Sequence, residues 1–514
     1  MSVATTKKLA DIQKNKTSLL DKLLNLVERG GNKLPDPATL FFGLSLLVII
    51  LSHVAAVAGW QAVNPATKEV VRAVSLLQRE NIVKILTEMV NNFATFPPLG
   101  LVLVVMMGVG VAESSGLISA LLRRLLIGAP VSVIVPAVVF AGIMGNAAGD
   151  SAFIVLPPLA AMIFASVGRH PIAGIAAAYA GVAGGFSANL FVNMSDVLLA
   201  GFTEKAAQII DPKYIANPAM NYYFFIASTF LLTFVGSWVT VKVVEPRLGA
   251  FLGQNETFHP LNDVEKKALR VAGLIALAYV GLIAYLTLPA NALLRDPQTG
   301  SLIVSPFMKG LVPIMTGFFL FPAIGYGIVA GTIKSDKDLA AQMGKAMSTM
   351  GSYIVLAFLA AQFMAFFNWS NMGTILAIKG ANFLQNIGFT GLPLLLGIII
   401  LTSMINLLVA SASAKWAVLG PVFVPMLMLL GYSPAFTQLA YRIGDSITNP
   451  ITPLLAYFPI ALSQARKYDE KLGMGTLIST LLPFSIYFAL GWFIMFSLWY
   501  LLDLPLGPGN MIRL

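Results

Sequence analysis

The sequence predicts an all-α polytopic membrane protein, with nine transmembrane helices and two re-entrant helical hairpins in an inverted-topology repeat with broken helices. Three observations carry this. Only 11% of the 514 residues are charged and 57% are hydrophobic, whereas a soluble domain carries about 25% charged residues. Apolar runs of roughly 20 residues, the length at which a helix crosses hydrocarbon, recur along the chain. Two longer apolar regions have small, polar centres instead of ordinary loop composition.

Residues 1–37 form a basic leader, too polar for a cleaved signal peptide, and are expected in the cytoplasm. Residues 38–60 and 96–118 read as the first two spans. Residues 129–166 are the first hairpin. Its centre, "MGNAAGDSA" (144–152), suits close backbone packing in a buried tip. Two extra spans are the alternative here and at the second hairpin. Residues 172–200 have span length but are interrupted by "GGFSANLFVNMSD" (184–196), so they read as a broken helix. Span 221–244 closes the first repeat, 38–244, and 245–267 is a cytoplasmic loop.

The second repeat, 268–502, opens with spans 268–290, 306–332 and 349–367. Hairpin 391–430 follows, centred on "VASASAKWA" (409–417), then broken helix 434–462 and the last span, 474–502. Residues 503–514 are an external tail. With the N-terminus inside, nine crossings put most of the 33 Lys and Arg on the cytoplasmic side, as the positive-inside bias requires. The same count inserts the two hairpins from opposite faces. Gly185 and Ser187 of one broken helix then align with Gly444 and Ser446 of the other. Inverted repeats with discontinuous helices are the build of secondary transporters.

Several function classes are excluded. The absence of cysteine removes disulfides and thiolate metal sites. The net charge of +10 fits cytoplasmic loops near anionic lipid and not a nucleic-acid partner. No G-x-x-x-x-G-K-[ST] motif is present to drive ATP-powered pumping. His53, His170 and His259 are scattered, and no cofactor is expected.

The candidate site lies at the interruptions. Irregular backbone survives at membrane depth only where protein or water covers it. A half-helix N-terminus offers N–H groups to an anion, and a C-terminus offers carbonyls to a cation. In "YRIGDSITNPITPL" (441–454), Arg442 and Asp445 share a helical face and Pro450 and Pro453 break the helix. Either the two charges form a structural ion pair, or Arg442 offers its fork to a substrate carboxylate while Asp445 holds it or couples to an ion. Asn406, Ser413 and Trp416 join them as candidate substrate contacts. Lys415 reads as pointing to the outer surface, without a role. Asn146, Asp150, Asn189, Asp196 and Asn449 are candidate ion ligands; sodium at Asn189 and Asp196 and a proton on Asp196 are equally open.

"AQFMAFFNWSNMG" (361–373), "ASASAKWAVLGPVFVPMLMLLG" (410–431) and "YRIGDSITNPITPL" resemble the p-aminobenzoyl-glutamate transporter (AbgT) family. "GRHPIAGIAAAYAGVAGGFSANL" (168–190), "EPRLG" (245–249), "LRDP" (294–297) and "PFMKGLVP" (306–313) extend the resemblance over nearly the whole chain. It implies nine spans, two oppositely inserted hairpins, a homodimer in the bacterial inner membrane and a basin open to the cytoplasm. It also implies ion-coupled transport of p-aminobenzoyl-glutamate, an aromatic anion, or export of sulfonamide antimetabolites. Residues important for transport in the family fall on Asp196, Asn406, Ser413, Trp416, Arg442, Asp445 and Pro453. The rival readings are a small-anion channel and an intramembrane amidase or peptidase using Asp150 or Asp196.

Overall fold

Within hydrocarbon a chain must satisfy its own peptide groups, so each apolar run folds as a helix. The computed structural model describes residues 37–63, 69–126, 133–146, 151–249, 251, 261–289, 291–302, 305–409, 411–455 and 457–514. The expectations for the leader up to residue 36 and for Asp150 lie outside them. Helix α1 is Pro37–Val57, followed by a two-stranded antiparallel ribbon of β1 (Gln61–Val63) and β2 (Val70–Arg72). That ribbon corrects the all-α expectation. Helices α2 (Arg79–Ala94) and α3 (Pro97–Ser114) follow, the second starting with Pro at its first turns, where no N–H is needed. Then come α4 (Leu117–Leu126), α5 (Ile134–Gly145) and α6 (Ser151–Ser166).

Helix α7 (Pro171–Gly184) ends in a 3₁₀ turn, Gly185–Ser187, and the chain runs extended before α8 (Met194–Ala207). Helix α9 (Tyr222–Val239) continues through a π-helical turn (Thr240–Val244) to Leu248. Helices α10 (Asp263–Thr287), α11 (Leu311–Ala330), α12 (Asp336–Ser348), α13 (Gly351–Trp369) and α14 (Met372–Asn386) precede the second interrupted unit. That unit comprises α15 (Gly391–Asn406), α16 (Ala412–Leu429), α17 (Pro434–Thr448), a 3₁₀ turn (Asn449–Ile451) and α18 (Phe458–Arg466). Helix α19 (Met474–Leu501) is last.

Among the described residues, eight helices are long and apolar enough to cross a membrane. Seven coincide with the seven uninterrupted spans expected from sequence. The eighth is α16, within the stretch 391–430 expected to be a hairpin: at 18 residues it reaches span length, which the sequence reading did not give it. The arms α5, α6 and α15 are shorter, at 12, 16 and 16 residues. Both expected helix breaks occur where Gly184-Gly185 and Asn449-Pro450 were read.

Glycines set how closely the broken helices are held. A Cβ on Gly142 of α5 would meet Ala178 O of α7 at 2.8 Å and Gly181 Cα at 2.9 Å. A Cβ on Gly444 of α17 would meet Ile399 O of α15 at 2.4 Å. Each first arm therefore lies backbone to backbone against the first half of its own broken helix. The second halves cross over: α8 packs on α16, and α18 packs on α6 and α7. Outside this core, α1 and α10 present apolar faces, with Ile50, Val54, Leu274 and Leu277 exposed, the surface a bilayer covers.

Candidate functional site

The two interruptions meet. Ser446 of α17 donates to Ser187 in the 3₁₀ turn after α7 at 2.7 Å, and Ser187 donates to Arg442 O at 2.9 Å. These two serines are the pair that the repeat alignment equates. Beside them, Arg442 is 1% exposed and reaches across to the first broken helix. It pairs with the Asp196 carboxylate, donates from Nη2 to Phe186 O at 2.9 Å, and lies with its guanidinium carbon 4.3 Å from the centre of the Phe225 ring. The ring face stabilises the cation where water is absent.

Asp196 is placed by local chemistry. Asn193 caps α8, accepting from Asp196 N at 3.2 Å, while Asn193 N donates to Asp196 Oδ2 at 2.7 Å. This reciprocal capping box satisfies the helix start and puts a carboxylate at its positive end. The α8 N-terminus is therefore already closed by its own acid, not open to an outside anion.

Asp445 does not pair with Arg442, and here the sequence expectation is corrected. Three residues along a helix put the two groups on neighbouring lines, and each finds its partner on a different element. Asp445 Oδ1 lies 2.5 Å from Lys415 Nζ, both side chains being 1% exposed. Lys415 is thus buried, against the reading that sent it to the outer surface. Its ammonium also donates to Asn406 Oδ1. The Asn406 amide nitrogen faces Asp445 O at 2.7 Å, Asn449 Oδ1 at 2.8 Å and Thr448 Oγ1 at 2.9 Å. Asn449 in turn donates to Ala183 O at 3.2 Å, tying the second break to the end of α7.

The remaining candidates are dispersed around this core. Asn146, at the end of α5, donates to Val182 O at 2.8 Å. Asn189 accepts from Phe191 N at 3.0 Å, and its buried Nδ2 has no partner. Each Asp196 oxygen already accepts from one donor, Arg442 or Asn193 N, and Asn189 Oδ1 accepts from Phe191 N, so a cation at Asn189 and Asp196 would share these oxygens with their donors. Ser413 is half-buried at the tip, 3.3 Å from Ser411 Oγ, and Pro453 is half-buried in the turn after the second break.

Trp416 is fully buried. Its ring stacks on Tyr441 at 4.5 Å between centroids, and its Nε1 donates to Thr203 Oγ1 at 2.9 Å. One face of this candidate substrate contact is thus filled from α17. Thr203 also accepts from Gln438 Nε2 at 2.8 Å, and Asn221 Nδ2 donates to Gln438 Oε1 at 2.9 Å. Sequence reasoning missed Thr203 and Gln438. Their spacing was the available signal: Gln438 lies one helical turn before Arg442, and Thr203 two turns after Asp196, on the same faces.

Chemically, the site holds two buried acid–base pairs, each joining different elements of a doubly broken core. Breaking one by removing a partner is costly because the other charge stays buried.

The sequence model of the "AbgT putative transporter family" matches residues 22–514. The chain is 38% identical over 494 residues to the p-aminobenzoyl-glutamate transport protein of Escherichia coli K12, covering 96% of this chain and 97% of that one. It is similar to the crystal structure of the Alcanivorax borkumensis YdaH transporter, with TM-score 0.89 and 43% identity, over 92% of this chain and all of that one. It is likewise similar to Neisseria gonorrhoeae MtrF, described within a class of antimetabolite efflux pumps, with TM-score 0.90 and 45% identity over 95% of this chain and all of that one.

Proposed function

Because this chain belongs to the AbgT family of membrane transporters, we propose that it moves p-aminobenzoyl-glutamate or a related folate-type aromatic anion by ion-coupled secondary transport. Export of sulfonamide antimetabolites is the second substrate class, favoured by the likeness to MtrF. The observation that carries the reading is the Arg442–Asp196 pair, buried where the two helix breaks meet. A dicarboxylate substrate needs a cationic fork, and the chain holds one in reserve behind an acid that can be neutralised.

The cycle follows from that pairing. A proton on Asp196, or a cation that draws its charge away, weakens the hold on Arg442. The guanidinium then meets a substrate carboxylate, and the unpartnered Nδ2 of Asn189 supplies a second donor. Loss of the ion restores the internal pair and expels the substrate. Both states keep the arginine neutralised, as membrane depth demands. One charge moved through 100 mV supplies about 2.3 kcal/mol, roughly a fifty-fold gradient at about 1.4 kcal/mol per decade.

We read α5–α6 and α15–α16 as re-entrant hairpins of an inverted repeat, supported by the crossed packing of α8 on α16 and α18 on α6. The homodimer and the inner-membrane setting complete the proposal, with the termini on opposite faces. The test is flux of labelled p-aminobenzoyl-glutamate in proteoliposomes with proton and sodium gradients imposed separately. Saturable, gradient-driven flux of chemically intact substrate is expected. Unsaturable conductance would make the protein a channel, and hydrolysed substrate would make it an amidase.

A further inference from the structure

Lys415 sits in the first turn of α16, where Ser411 is the N-cap. That end of a helix carries partial positive charge and favours anions. A buried lysine there is opposed by its own helix, so other elements must be built to receive it. Two are. Asn406 is the last residue of α15, and Asp445, Thr448 and Asn449 are at the end of α17, so the oxygens that receive the ammonium come from the C-terminal, negative ends of two helices.

The receiving oxygens are fixed in advance. The Asn406 amide nitrogen is committed to Asp445 O and Asn449 Oδ1, which leaves Oδ1 as the oxygen offered to Lys415. Asp445 Oδ1 lies 2.5 Å from the ammonium and has no hydrogen-bonding partner beyond that ionic contact. A carboxylate oxygen and an amide oxygen, both carried in the last turns of helices, are hard donors of the kind offered to alkali cations. An ammonium on a four-carbon stem is a compact point charge of the same sign.

We propose that the Lys415 ammonium is a tethered cation filling a monovalent-ion position at the second hairpin tip. The chain then needs no free sodium there, and shortening Lys415 opens the position to sodium. This deepens the coupling reading above and rests on it for the transport readout alone.

The experiment uses the purified full-length protein with sodium-22 as the probe, and thermal unfolding in sodium chloride against choline chloride. Lys415→Ala is expected to bind one more sodium than the unaltered protein, and to be stabilised by sodium but not by choline. Asp445→Asn in the Lys415→Ala background should abolish the gain. Lys415→Met, which fills the space without charge, should never acquire it. In proteoliposomes, Lys415→Ala should lose about 100-fold of its flux in choline and recover to within about ten-fold in sodium, the scale of an unpaired buried charge.

A folded Lys415→Ala that gains no sodium, or whose gain survives Asp445→Asn, overturns the proposal. So does failure of both Lys415→Ala and Lys415→Ser to fold in sodium, since the ion should replace the ammonium. If the unaltered protein carries no p-aminobenzoyl-glutamate, the transport reading fails while the sodium measurement still decides this one.

Discussion

Arg442 gives the site its logic at the scale of single residues. It sits on α17, yet Asp196, Phe186 and Phe225, its partners, all belong to the first half of the chain. Removing it strands Asp196 without water or a counter-charge. Arg442→Ala should therefore cost about 3–5 kcal/mol of stability, read from unfolding in detergent, and it should harm p-aminobenzoyl-glutamate flux more than sulfonamide flux. Arg442→Met with Asp196→Asn removes both charges and should recover most of the stability but none of the dicarboxylate transport. Recovery of both would reduce the pair to a structural role. Trp416→Phe should keep the stack on Tyr441 and lose the bond to Thr203, a cost of about 1 kcal/mol. A far larger loss of flux than of stability would return Trp416 to the ligand. The residue types of this site were legible in the sequence; their pairing was not. Arg442 and Asp445 share a face, but each answers to a group some 30 or 250 positions away (roughly, by chain count), and helical spacing carries no information about such partners. Lys415 was misread for the same reason. A lysine among small residues looks free to reach the surface until two helix ends from elsewhere close over it.

Helices and their breaks were more legible, because length and local chemistry define them. The seven uninterrupted spans followed from apolar run length, and both breaks followed from the polar, Gly-Gly-led interruption at 184–196 and from Pro450 and Pro453. Arm length within the second hairpin did not, since a buried helix and a spanning helix of 18 residues have the same composition. The amphipathic α2 and the small β1–β2 ribbon lay between apolar runs and gave no hydropathy signal. What composition did foretell is the close approach of backbones at small residues. Gly444 is the sharpest case: Ile399 O would stand 2.4 Å from a new Cβ and Thr402 Cβ 2.7 Å. A carbonyl held in its own helix cannot retreat as a flexible side chain can. Gly444→Ala should thus push α15 off α17, destabilising by about 1–3 kcal/mol and loosening Asn406 from Asp445 and Asn449. Gly281→Ala, likewise inside a helix but with open space around it, serves as the control. Equal melting temperatures for the two variants would mean that the crossing adjusts freely.

Across the whole molecule, the proposed inverted repeat requires that the two halves sit in the membrane with opposite polarity. The supporting pattern is the exchange of second halves, α8 onto α16 and α18 onto α6, together with Ser187 meeting Ser446. A parallel repeat would bring equivalent ends to the same face; an inverted one brings them together from opposite faces, so that both breaks contribute to a single site. Orientation is accessible because the chain has no cysteine of its own, and any single cysteine reports alone. Gln298→Cys and Gln385→Cys, both at exposed positions, should react with a membrane-impermeant maleimide from outside intact cells. Lys337→Cys, exposed after α11, should react only once the membrane is opened. Ser413→Cys separates a re-entrant hairpin from a spanning pair. The residues just beyond it, from Ala414 to Ala417, are buried, and Lys415 binds the second break, so the tip should resist a bulky reagent from either face. Labelling from the cytoplasmic face as fast as Lys337→Cys would put the turn in water. In that case α15 and α16 cross fully, and the crossed packing would have to arise without inverted insertion.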